Sequence, residues 1–198
     1  MRLEIIDGHA VGFDEGPHRY FIDGVEVPSV TKIIGGGKKT YYPQEAAERG
    51  TAIHSITARL DEGESVPGEE GQPYMGWLKA WSDFKRDYQF RLVAAECMGY
   101  SLGTMPHAGT IDRIATVCPP GGEEGRAIID LKTGGKSPDH VLQVADYERL
   151  VTKYPGEIRW LMLVYLKNTG KYSVEILNRS ARLMALAEFS KRQGEYRG

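Results

Sequence analysis

Read only for apolar and polar positions, the chain switches between a period of two and a period near 3.6. From His18 to Val27 two β-prone runs flank Asp23-Gly24, a two-residue turn signal that predicts a hairpin. Ser29 to Ile34 has the form of one helical turn capped by Ser29, and Gly35 to Lys39 reads as a basic loop. Helical spacing then runs from Gln44 to Leu60, with Pro43 at its start. Asp61 to Gln72 is rich in Gly and acids and reads as a loop. Tyr74 to Tyr88 predicts a second helix, with Trp77, Trp81, Phe84 and Tyr88 forming an aromatic stripe that reads as core. Three strand candidates follow at Arg91–Met98, Gly109–Val117 and Arg126–Lys132. A helix over about Asp139–Lys153 leads to strands at Ile158–Lys167 and Lys171–Leu177, with Asn168-Thr-Gly170 as the turn. A last helix covers Ala181–Gln193. The order predicts an α/β fold with a central mixed β-sheet flanked by helices, plus an N-terminal β-hairpin, rather than a regularly alternating doubly wound fold.

Composition narrows this only a little. The 198 residues match the size of one domain able to bury a core. Apolar residues make up 41% and charged residues 26%, ordinary for a globular chain, and no internal repeat or low-complexity tract is evident. No apolar run reaches the roughly 20 residues needed to span a bilayer, and the acidic N-terminus lacks the apolar stretch of a signal peptide. Cys97 and Cys118 are too few for a disulfide framework or zinc site, so both read as reduced small apolar residues in a cytoplasmic protein. The formal net charge of −2 argues against a protein that coats DNA, but not against a nuclease, whose acids are offset by bound cations.

The chemistry concentrates in Ala127-Ile-Ile-Asp-Leu-Lys132. Strand side chains alternate between faces, so Asp130 and Lys132 share one face while Ile129 and Leu131 share the other. Alone, that pair is better explained as a salt bridge at a strand end. Asp112 stands in the middle of the preceding strand candidate. If the two strands pair as a hairpin, Asp112 and Asp130 can project from one face, where one of the two acids would be protonated unless a cation intervened. Hard oxygen donors of this kind select Mg²⁺ or Mn²⁺. Glu96 adds a third acid on a third successive strand, with a solvent-facing strand residue as its alternative.

Asp112 followed by Asp130-Leu-Lys132 resembles the acid…(D/E)-x-K pattern of the PD-(D/E)XK nuclease superfamily, with Ile111 where the family name has proline. The fuller resemblance is to its RecB-like and lambda-exonuclease-like branch, in small phage-type members. Arg49-Gly-Thr-Ala-Ile-His54 is similar to that branch's helix motif, whose histidine can ligate metal. Gln143-Val-Ala-Asp-Tyr147 resembles its Q-x-x-x-Y motif, and His18-Arg-Tyr…Val27-Pro-Ser-Val-Thr31 resembles the phage-type leader. The matches run from residue 18 to about 150.

The resemblance implies a restriction-endonuclease-like core in one domain, residues 1–198, with a hairpin and helical part at 1–90 and a catalytic sheet core at 91–198. It implies metal-dependent hydrolysis of DNA, with an exonuclease preferred, in phage-type recombination, repair or replication. His54, Glu96, Asp112, Asp130 and the Leu131 backbone carbonyl would hold one or two Mg²⁺ or Mn²⁺ ions. Lys132 would position or deprotonate a water or neutralise developing charge. Gln143 and Tyr147, one helical turn apart, would hydrogen-bond a phosphate or orient Lys132, with a core aromatic as the alternative for Tyr147. Gly50 would let its helix approach the sheet. Arg49, Lys38, Lys39 and Lys136 are candidate DNA contacts, each with a solvated surface cation as its alternative. Expected partners are DNA, further copies of the chain and a phage recombination or replication protein, in the host cytoplasm and off the membrane. The rival readings are an endonuclease on the same core, a catalytically silent DNA-binding module and a carboxylate-pair glycosidase, which leaves Lys132 unexplained. Two cysteines exclude a four-cysteine iron–sulfur cluster.

Overall fold

A computed structural model describes residues 1–37, 43–151, 153–154 and 156–197, without the side chain of residue 69. Lys38 and Lys39 therefore lie outside the described residues.

The chain opens with a four-stranded antiparallel meander: β1 (Arg2–Ile6), β2 (His9–Asp14), β3 (Arg19–Ile22) and β4 (Val25–Val27), in that order. The expected hairpin is its second half. Asp23 and Gly24 both take positive φ, 50° and 81°, as a tight two-residue hairpin turn requires. Asp7 and Gly8 repeat this at 48° and 86° between β1 and β2, so the N-terminal part is larger than a single hairpin.

Next come α1 (Val30–Ile34), with the Ser29 hydroxyl accepting from the Lys32 N–H, and α2 (Gln44–Asp61). The stretch expected as a loop contains α3 (Gly68–Gly71), started by Pro67, and a 3₁₀ turn at Gln72–Tyr74. Its Gly and Glu content hid a helix that tertiary context permits over one turn. Then α4 (Met75–Asp87) leads to β5 (Arg91–Ser101), β6 (His107–Val117) and β7 (Gly125–Lys132). After α5 (Pro138–Leu150) come β8 (Ile158–Leu166), β9 (Tyr172–Ile176) and α6 (Arg179–Glu195).

The five later strands form one mixed sheet in the order β5-β6-β7-β8-β9. All neighbours are antiparallel except β7 and β8, which α5 joins as a crossover. One face packs Ile114, Ile128, Leu161 and Leu163 against α1, α5 and α6. The other packs Ala115, Ile129, Leu131 and Val164 against Ile53 of α2 and Trp81 and Phe84 of α4. The aromatic stripe is core as expected, with the Trp81 and Phe84 rings stacked at 5.1 Å. A third cluster of Ile6, Val11, Tyr20, Met98 and Tyr100 fixes the meander to the end of β5 and β6.

The backbone approach expected at Gly50 is absent: a Cβ there would meet only Thr133 Oγ1, at 3.7 Å. Gly76 of α4 holds that role, because a Cβ there would lie 1.7 Å from the Asn168 carbonyl oxygen. Cys97 is buried and Cys118 partly exposed, both as free thiols. Among the described residues no helix is long and apolar enough to cross a membrane.

Candidate metal centre

The site forms where regular pairing of β6 with β7 stops. The ladder runs to Arg113↔Ile129, and beyond it the Asp112 carboxylate accepts the Leu131 N–H at 2.7 Å. Asp112 and Arg113, adjacent in sequence, both reach α2. Asp112 Oδ1 lies 3.3 Å from His54 Nδ1, and Arg113 Nη2 donates to Thr57 Oγ1 at 2.8 Å. Simple alternation therefore fails at this step.

On β5 the register places Glu96 opposite Asp112, and Glu96 has the left-handed φ of 45°. Such a conformation in a residue with a Cβ stores about 1–3 kcal/mol and persists only where neighbours hold it. Here Arg2 of β1 donates to the Glu96 carbonyl at 2.6 Å, and Arg113 Nη1 donates to Glu96 Oε1 at 2.9 Å. The result brings one ligand atom each of His54, Glu96 and Asp112 within 4.8 Å of one another, a group that could hold a metal ion.

The charges suit a bound cation. Burial, reinforced by the charge of Asp112, pushes the Glu96 carboxyl up to about 7 despite His54 and Arg113. Burial also raises Asp130, to about 6, with Lys132 opposing and Asp112 reinforcing. At Asp112 burial is overcome by His54, Lys132 and the Leu131 N–H, which hold its carboxyl below the usual range. Burial lowers His54, but Asp112 and Glu96 outweigh it and raise the imidazole. Two carboxylates and an imidazole suit a divalent ion such as Mn²⁺ or Mg²⁺.

Asp130 stands apart from this trio. It is fully buried, and neither of its oxygens has a hydrogen-bond partner among the described residues. Lys132 Nζ is 2.7 Å from its Oδ2, close enough for an ion pair but without aligned hydrogen-bond geometry. Both side chains share the α5 face, while Ile129 and Leu131 pack on the other. Lys132 also donates to Gln143 Oε1 at 3.0 Å, and Gln143 Nε2 donates to the Tyr147 hydroxyl at 2.6 Å. Tyr147 is buried, and burial with the nearby Asp130 and Asp112 charges raises its hydroxyl well above the usual range. Leu131 enters the site through its N–H.

A cleft of about 720 Å³ opens over the trio. Glu96, Gly109, Thr110, Asp112, Gln143 and Tyr147 line its floor. Helix α2 makes one wall with Thr51, His54, Ser55 and Ala58; the meander makes the other with Phe13, His18 and Tyr20. Two expected DNA contacts lie away from this lining. The Arg49 guanidinium sits 5.4 Å above the Trp77 ring, and Lys136 pairs with Glu175 at 3.0 Å.

Arg113 escaped the sequence reading. It is fully buried, bonding Asp61 Oδ2 at 2.7 Å and the Asp112 carbonyl at 2.6 Å besides Glu96 and Thr57. Its signal was a cation between Ile111 and Ile114, where burial demands a carboxylate.

No family profile matches the chain, and no curated protein matches it in sequence. Among solved structures, a candidate exonuclease from Eubacterium rectale superposes with a TM-score of 0.47 at 13% identity, over 84% of this chain and 74% of its own. The protein SSO0001 superposes with a TM-score of 0.31 at 12% identity, over 82% and 83%.

Proposed function

We propose that the chain is a divalent-metal-dependent deoxyribonuclease, acting as an exonuclease, with its centre on His54, Glu96, Asp112, Asp130 and Lys132. The observation that carries this is the convergence of an imidazole and two carboxylates at the floor of an open cleft, beside a lysine held by an acid and a glutamine. A bound Mg²⁺ or Mn²⁺ supplies Lewis acidity, lowering the pKa of water and offsetting phosphate charge.

The chain's own residues do the rest. His54, Glu96 and Asp112 would hold the ion, with Asp130 Oδ1 and the Leu131 carbonyl available to complete its shell or a second one. Lys132 orients the attacking water and neutralises charge on the phosphate oxygens from a fixed position, because Asp130 and Gln143 restrain its ammonium. Tyr147 holds Gln143 in turn. On this reading residues 1–198 work as one domain, in which 1–90 supply both walls and 91–198 the floor. Arg49 and Lys136, outside the cleft lining, are proposed backbone contacts, as are Lys38 and Lys39, and a role in phage-type recombination or replication is part of the proposal.

Purified protein incubated with end-labelled linear duplex, single-stranded and closed circular DNA tests this, with Mg²⁺, Mn²⁺ or a chelator. Metal-dependent shortening of the linear substrates with the circle spared is expected. Cutting of the circle points to an endonuclease. No cleavage of any substrate with either ion refutes the enzyme.

A further inference from the structure

The meander wall of the cleft is aromatic, and the metal centre does not use it. The Phe13 and Tyr20 rings stack at 4.6 Å and 27°. The His18 imidazole stands edge-on to both, 5.0 Å from Phe13 and 5.9 Å from Tyr20. Tyr20 is buried, and its hydroxyl is 2.8 Å from Thr110 Oγ1, two residues from Asp112. The ladder thus begins at the metal centre and ends in solvent at His18, which the β2–β3 turn presents with a φ of 53°. Partial burial against the meander rings and the Lys32 charge keep that imidazole below its usual pKa.

The opposite wall has another character. Thr51, Ser55 and Ala58 recur at one-turn spacing on α2 and leave that side free of bulk. Arg2 and Arg59 line the cleft as cations, and Glu15 as an acid. A volume of about 720 Å³ lies within the roughly 300–1,000 Å³ that encloses a drug-sized ligand, the scale of one or two nucleotides. A B-form duplex, whose major groove alone is about 12 Å wide, is far larger.

Resting on the nuclease reading above, we propose that the face of His18, whose ring Phe13 and Tyr20 hold edge-on, is a stacking platform for an unpaired base next to the scissile phosphate, so that the cleft takes a single-stranded or frayed DNA end. The sugar–phosphate chain lies along the small-residue face of α2, and the base lies on the aromatic wall. Stacking on an aromatic side chain tolerates every base, which gives strand selectivity without sequence selectivity.

His18 is exposed, so His18→Ala removes only its edge contacts with Phe13 and Tyr20, whereas Phe13→Ala also removes a ring stacked on Tyr20. The test measures fluorescence anisotropy of a labelled single-stranded oligodeoxynucleotide in Ca²⁺, alongside cleavage in Mn²⁺. His18→Ala is expected to weaken binding about 5- to 150-fold, the range of one lost stacking contact. His18→Trp is expected to restore it. An abasic site at the position next to the scissile phosphate should erase the difference between wild type and His18→Ala. Unchanged binding of His18→Ala, or the same loss on the abasic strand, overturns the platform while cleavage by the wild type leaves the nuclease reading standing. A wild type that neither binds nor cleaves DNA overturns both.

Discussion

Arg113→Met tests whether the buried guanidinium is the keystone between α2, α4 and the sheet. Methionine retains most of the aliphatic stem and deletes the charge. The loss strands Asp61, whose side chain has no solvent exposure, and frees Glu96, whose side chain is one-third exposed. Removing one partner of a buried ion pair costs about 3–5 kcal/mol. Asp61 keeps Lys85 Nζ at 2.7 Å and Trp81 Nε1 at 3.0 Å, which puts its share at the low end. The partly exposed Glu96 contact adds under about 1 kcal/mol. We therefore expect about 3 kcal/mol, near a 150-fold change in the unfolding constant and a fall of about 6–12 °C in Tm for a chain of this size. Urea unfolding of the metal-free protein measures it. Asp61→Leu added to Arg113→Met should recover at least about 1 kcal/mol, because no buried charge then lacks its partner. A loss under about 1 kcal/mol for the single variant, or simple additivity in the double, refutes the reasoning.

Lys132→Ala should lower Mn²⁺-dependent cleavage by at least about 100-fold, read in single turnover, with an unchanged circular dichroism spectrum. His54→Ala and Glu96→Ala should each weaken calorimetric Mn²⁺ binding, and the wild type should gain about 2.7 kcal/mol of stability at a Mn²⁺ concentration 100 times Kd; equal melting with and without Mn²⁺ would remove the metal centre. His140 is lowered from 6.5 to about 4, chiefly by burial and then by the Lys132 charge, so as pH falls the unfolded chain takes up the proton first. Its contribution is present above about pH 6.5 and is lost towards pH 4, about 1 kcal/mol by pH 5 once screening at its partly exposed ring is allowed for; His140→Gln should flatten that part of the wild-type stability profile by the same amount.

The mixed sheet was legible because its strands are short β-prone, mostly apolar runs set between strong turn signals, and the Asp23-Gly24 hairpin because its turn chemistry is local. Asp7-Gly8 carries the same signal between the apolar-rich runs Arg2–Ile6 and His9–Asp14, so the first hairpin was equally legible. The one-turn helix at Gly68–Gly71 was not legible, since glycines and acids say loop unless packing overrules them. Within the site, alternation placed Asp130 and Lys132 on one face but could not foresee the break at Asp112 and Arg113. That break turns two consecutive side chains toward α2 and separates Asp130 from the His54, Glu96 and Asp112 group. No local pattern encodes such a step, because it depends on what lies across the sheet. His54 was legible only through a resemblance; its geometry needed the fold.

The left-handed backbone of Glu96 means that the acid is held in place from another sheet. Arg2 belongs to β1 and grips the Glu96 carbonyl, while Glu4 beside it pairs with Arg2 and with Lys153. On the proposed reading, a metal-binding carboxylate is thereby answerable to residues that never approach the metal. Mutational drift in the first strand can retune the centre while every ligand stays the same. In a lineage, such changes would look neutral on the ligand positions and act through the spacing of a clamp.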